Sequence, residues 1–139
     1  MTEYHFRIQY ADFTAEIVLG DQWSLYDLAE FIIQTVGFDF DNAFEFGDNV
    51  KDPYQSQERY TLFADTGDAD DPDEPGVKET LVSEVFRPKR KMVFLFDYGD
   101  DWFFPITCTA VTPSDKKRRF RRVLSTTGTP PVQYESPDE

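Results

Sequence analysis

One cysteine and one histidine are all the thiol and imidazole chemistry that this chain of 139 residues carries. Cys108 alone cannot close an internal disulfide, and without a CxxC pair or an HExxH helix the common redox and zinc arrangements are excluded. A Ser-His-Asp or Cys-His catalytic set would have to be built on His5, which falls on the polar face of an alternating stretch. No lysine loop of the Walker type occurs, and no GxGxxG follows a strand pattern, so the familiar phosphate cradles are missing too. Nowhere do about 18 apolar residues run uninterrupted, and MTEYHFRIQY has no apolar stretch of signal-peptide length, so the expected location is cytoplasmic. Basic residues are few: 14 against 27 acids leaves a net charge of -13, which repels nucleic acid and anionic membrane at long range.

Rings are abundant instead. Aromatics make up 17% of the chain and 14 residues are Phe, which predicts a folded protein with a ring-rich core. The length suits one domain that buries about two thirds of its unfolded surface. Tyr4, Phe6, Ile8 and Tyr10 alternate with polar residues, and Phe13, Ala15, Ile17 and Leu19 resume the alternation after Ala11 and Asp12, the pattern of an antiparallel hairpin. Ser24 followed by Asp27 marks a helix start, Leu25, Leu28, Ala29, Ile32 and Val36 follow at helical spacing, and Gly37 suits the stop.

Short strands are predicted over Asn42 to Phe46 and Arg59 to Ala64, then an acidic surface loop over Asp65 to Gly76. Thr80 is the expected cap of a short helix, LVSEVF, ended by Arg87 and Pro88. The densest apolar run, MVFLFDYGDDWFFPITCTAV, reads as a buried hairpin: Val93 to Phe96 lead in, Gly99 supplies a positive φ, and Trp102 to Val111 return. Pro105 places the returning arm at a sheet edge or on a bulge. One further strand is predicted within DKKRRFRRVLSTTG. The sum is an α+β fold in a single compact domain, with a curved mixed β-sheet, a β-grasp-like ββα start, one main helix across the sheet and a short second helix. Residues 1–128 form the domain and 129–139 an acidic, Pro-rich tail.

Three places carry chemistry. The hairpin tip sets Asp97, Tyr98, Asp100, Asp101 and Trp102 together, and carboxylates so close repel unless donors, water or a cation compensate them. The structural alternative is that Asp97 and Asp100 bond the turn amides while Tyr98 and Trp102 pack below. Lys116, Lys117, Arg118, Arg119, Arg121 and Arg122 surround Phe120, and with Arg87, Lys89, Arg90 and Lys91 they hold ten of the 14 basic residues. Such a strip could contact phosphates with Phe120 stacking on a base, or could protect an edge strand and pair with the protein's own acids. The acidic loop fails as an EF-hand, because starting at Asp71 puts Pro75 fifth and Val82 twelfth, while starting at Asp68 puts Asp73 where glycine is required. Cys108, inside the returning strand, reads as a small buried thiol.

With these residues in view, the chain resembles the plasmid pRiA4b ORF-three-like family along nearly its whole length. The likeness rests on YHFRIQY, on SLYDLAEFIIQTVGFDFDNAFEF, on TLVSEVF and most specifically on FLFDYGDDWFFPI, similar to the family's Tyr-Asp-Phe-Gly-Asp-x-Trp signature. The resemblance implies a compact α+β domain encoded on plasmids, mobile elements and chromosomes, and brings no established reaction. Histidines common in the family's helix, before its Leu-x-x-Phe segment and after the signature Trp are replaced here by Ala29 or a neighbour, Asn42 and Phe104. Any metal or catalytic site built on those histidines is then missing from this chain.

Without a complete catalytic set, the segregated charges point to a non-enzymatic binding or protein-interaction module with no cofactor and a protein partner. The tip residues are the expected contact and the basic strip a second surface. Two other classes stay open: a metal-assisted hydrolase or nuclease using the tip carboxylates, and nucleic-acid contact through residues 116–122.

Overall fold

The computed structural model describes residues 1–67 and 75–134. The acidic loop foreseen over 65–76 therefore lies mostly outside the described residues, as do the last five of the tail. Among the described residues seven strands form one sheet: β1 (Thr2–Tyr10), β2 (Phe13–Gly20), β3 (Phe44–Gly47), β4 (Arg59–Thr61), β5 (Lys91–Phe96), β6 (Trp102–Pro113) and β7 (Arg121–Thr127). Their spatial order is β4-β3-β5-β6-β1-β2-β7. Every ladder is antiparallel, so the mixed sheet of the expectation is corrected: β1–β2 and β5–β6 are hairpins, and β1 docks against β6 running the opposite way.

Helix α1 (Leu25–Val36) follows the first hairpin, opened by a reciprocal cap. Ser24 Oγ accepts from the Asp27 amide at 3.2 Å while the Asp27 carboxylate accepts from the Ser24 amide at 3.1 Å. Gly37 closes it in the left-handed conformation, φ 90°. The buried stripe of α1 shares one cluster with Phe6, Ile8, Ile17, Phe94, Phe96 and Phe104 from the sheet. Burying each such side chain contributes about 1.5–3 kcal/mol. On the other face Val93 and Leu95 are equally buried, beneath a loop whose Pro53 is buried and whose Tyr54 ring meets Phe103 edge-on at 6.0 Å.

Local chemistry overruled pattern in two places. The strand foreseen over Arg59 to Ala64 stops at Thr61, because the Thr61 hydroxyl accepts from the Ala64 amide at 3.1 Å and starts helix α2 (Leu62–Thr66). Thr80 does not cap helix α3 (Val82–Val85): its hydroxyl donates to the Gly76 carbonyl at 2.7 Å, and the Glu84 carboxylate accepts from the Leu81 amide instead. Pro105 sits in a strand interior to the sheet, yet the β1–β6 ladder ends at Ile8 and Ile106, one residue short of it. Pro105 pairs with Val93 of β5 and lies just past the last rung to β1, so no rung on that side depends on its missing N–H. The strand is not an edge, but it carries the bulge that was the other expectation, at Thr109 between the partners of His5 and Phe6. Among the described residues no helix is long and apolar enough to cross a membrane.

Candidate functional site at the acidic end of the sheet

The register Phe44, Phe96, Trp102 across three neighbouring strands brings the start of β3, the end of β5 and the start of β6 to one end of the sheet. The hairpin tip and the connection from α1 to β3 meet there, joined by the Asp97 amide donating to the Ala43 carbonyl at 2.9 Å. Asp97 takes φ 68° and Asp101 φ 54°, while Gly99 has no positive φ. The bend expected of the glycine is thus made by two aspartates, whose short polar side chains tolerate the left-handed region. Asp97 Oδ1 accepts from the Gly99 amide at 3.0 Å and the Asp100 amide at 3.2 Å, the local bonding that holds the turn. Asp100 is exposed and is not a turn acceptor.

The tip then divides between two faces. Tyr98 reaches the outer face, where its hydroxyl donates to Glu45 Oε1 at 2.9 Å and its ring lies 5.3 Å from Phe63. Asp101 accepts a short hydrogen bond from the Tyr54 hydroxyl, and that bond first, with burial second, raises the Tyr54 phenol to about 12. Trp102 turns to the core face, with Phe38 at 4.9 Å and Tyr10 at 5.3 Å. Its indole N–H is buried and finds no acceptor among the described residues. The tip acids therefore serve separate partners, and among the described residues no three His, Cys, Asp or Glu side chains are placed to hold a metal ion.

Residues that sequence reasoning passed over complete this end. Gln133 clasps the main chain of Asp39, its Oε1 accepting from the amide at 2.7 Å and its Nε2 donating to the carbonyl at 3.1 Å. Tyr134 donates to Asp41 at 2.9 Å, a bond that raises its phenol above the ordinary value. Phe38 and Phe40 on the same connection pack on Trp102, Phe96 and Phe44. The alternation of aromatic and acid in FDFD was the available signal, but the partner, almost a hundred residues on, had none.

The basic strip lies at the opposite end, where Arg121 pairs with Leu19 at the close of β2. Two of its arginines are engaged by the protein's own groups. Arg119 and Arg121 stack on Trp23 at 4.1 and 5.0 Å, Arg121 also donates to Glu30 at 3.0 Å, and Arg119 approaches Asp27 at 3.9 Å. Phe120 packs over Gly20 with Lys116 above its ring at 5.1 Å. Lys116, Lys117, Arg118, Arg119 and Arg122 are exposed. The strand they lead into is the outermost, and Leu124 is bulged out of register against Glu16 and Ile17. Bulge and cations together blunt an edge that would otherwise invite pairing. Cys108 is buried, and desolvation pushes its thiol up to about 11, so it is no nucleophile at neutral pH.

Comparison with known proteins gives a fold and a family. The family model described as Plasmid pRiA4b ORF-3-like protein matches residues 6–133. The crystal structure of a protein of unknown function, MM3350 from Methanosarcina mazei Go1, is similar with a TM-score of 0.71 at 14% identity, over 93% of this chain and 71% of that one. No curated protein matches.

Proposed function

We propose that this chain, which belongs to the plasmid pRiA4b ORF-3-like family, is a non-enzymatic protein-binding module whose contact surface is the acidic end of the sheet. The observation that carries the reading is that exposed Asp39 and Asp41, on the α1–β3 connection, and exposed Asp100 and Asp101, on the hairpin tip, share one end of the sheet, the two segments joined by the Asp97 to Ala43 bond. An acidic surface of this kind suits recognition of a complementary protein and steers basic partners toward it. The use of Asp97 by the turn and of Asp101 by Tyr54 also weighs against a hydrolase, which needs carboxylates converging on one reacting group.

A photo-crosslinking residue placed at position 100 tests this in host cells, with position 51 as the control. Discrete protein adducts at position 100, absent at 51 and lost on Asp101→Lys, are expected. Identical adducts at both positions would refute the reading. So would a turnover activity abolished by Asp100→Ala in protein that stays folded.

A further inference from the structure

Resting on that binding-module reading, we propose that the cleft between α1 and the Phe38 to Ala43 connection is a socket for one cationic side chain, arginine or lysine, of a partner protein. Its lining includes Tyr26, Phe40, Asp41, Asn42 and Leu62, and its volume is about 340 Å³. That is at the small end of ligand cavities and has room for one long side chain.

Three features select a cation. First, the wall is aromatic: Tyr26 and Phe40 meet edge-on at 5.4 Å, and Phe40 lies 5.3 Å from Phe44. Ring faces carry partial negative charge, and Lys78 Nζ already lies 4.9 Å from the Tyr26 centroid, so this wall draws a cation from the chain itself. Second, Asp41 is oriented by neutral donors, with Asn42 at 2.7 Å, Gln133 at 3.1 Å and Tyr134 at 2.9 Å. Such bonds fix a carboxylate in place and leave its charge to act on an incoming guanidinium or ammonium. Third, Gln133 bonds both the amide and the carbonyl of Asp39, so the connection that forms one side of the cleft is held before any partner arrives. Less ordering entropy is then lost on binding. A carboxylate or phosphate ligand would meet repulsion from the same groups, and the net charge of -13 favours the approach of a basic partner.

The test is an NMR titration of the full chain, ¹⁵N-labelled, with three capped tripeptides: Gly-Arg-Gly, Gly-Lys-Gly and the uncharged Gly-norleucine-Gly. Saturating shifts at the amides of Asn42, Ala43 and Leu62 are expected with the two cationic peptides, and binding about tenfold weaker with norleucine. Asp41→Asn, at an exposed position where folding is not at stake, should weaken the arginine peptide about fivefold and leave norleucine unchanged. Phe40→Leu keeps apolar bulk, removes the ring face, and should act in the same direction. Absence of saturable shifts, equal binding of norleucine, or an unaffected Asp41→Asn overturns the socket. If position-100 adducts persist alongside that result, only the socket falls and the binding module stands; if both fail, the module falls too.

Discussion

Glu45, 1% exposed on the strand next to the sheet edge, receives Nε and Nη2 of Arg59 at 3.0 Å each from the diagonal position on the neighbouring edge strand. The two-pronged contact, with the Tyr98 hydroxyl as a third donor, compensates a carboxylate taken out of water. Arg59→Leu leaves that charge buried with one donor, and chemical denaturation should show a loss of about 2–4 kcal/mol. The double variant Glu45→Leu with Arg59→Leu should recover more than half of it, because no charge is then left uncompensated.

A second carboxylate makes stability depend on pH. Burial acts to raise the Glu58 carboxyl, but hydrogen bonds from Arg90 at 2.6 Å and Tyr60 at 2.6 Å, with the charges of Arg90 and Arg87, outweigh it and hold the group below its ordinary value. A depressed folded-state value contributes stability above the ordinary carboxylate range and loses it as pH falls through the depressed one. Thermal melts of the wild type and Glu58→Gln should therefore differ most near neutrality and converge in acid.

The same contact acts in reverse on its donor. Burial first, then the bond to Glu58, raises the Tyr60 phenol to about 12. Its contribution is complete below the ordinary tyrosine value of about 10 and is lost as pH climbs toward 12. Tyrosinate absorbance should show a late-titrating ring that Tyr60→Phe removes.

Gly47 is required by contact rather than by conformation. A Cβ built there would stand 2.3 Å from Ser56 Oγ, the atom that accepts from the Asn49 amide at 3.0 Å. Gly47→Ala should destabilise by about 1–3 kcal/mol, as overpacking does, and Ser56→Gly in the same chain should relieve the clash. Denaturation midpoints of the two variants check it.

At the tip, Asp97→Asn keeps an acceptor for the Gly99 and Asp100 amides and tolerates φ 68°, whereas Asp97→Ala does neither. A loss of about 1–2 kcal/mol is expected for alanine and much less for asparagine, read from thermal melts.

Much of this was legible in the chain because it was local. Ser24 and Asp27 name their helix by themselves, and the alternation from Tyr4 to Leu19 fixes which face is buried. Phe94 and Phe96 are fully buried as their run predicts. What stayed hidden was set at a distance. Nothing around Glu45 announces Arg59, nothing in FDFD announces Gln133, and whether Pro105 harms a strand depends on where a ladder from the other end of the chain stops. At the tip the error was one of degree: glycine can take the left-handed turn, but aspartates on either side of it, bonded to the backbone, took it instead.

The strand order carries a consequence for synthesis. During translation the first hairpin leaves the ribosome with both long sides unzipped, since the strands that close them, β6 and β7, are the last two of the seven to be made. The nascent chain must hold Phe6 and Ile8 out of trouble for most of its making, and its excess of acid is the means it has of staying dispersed while it waits.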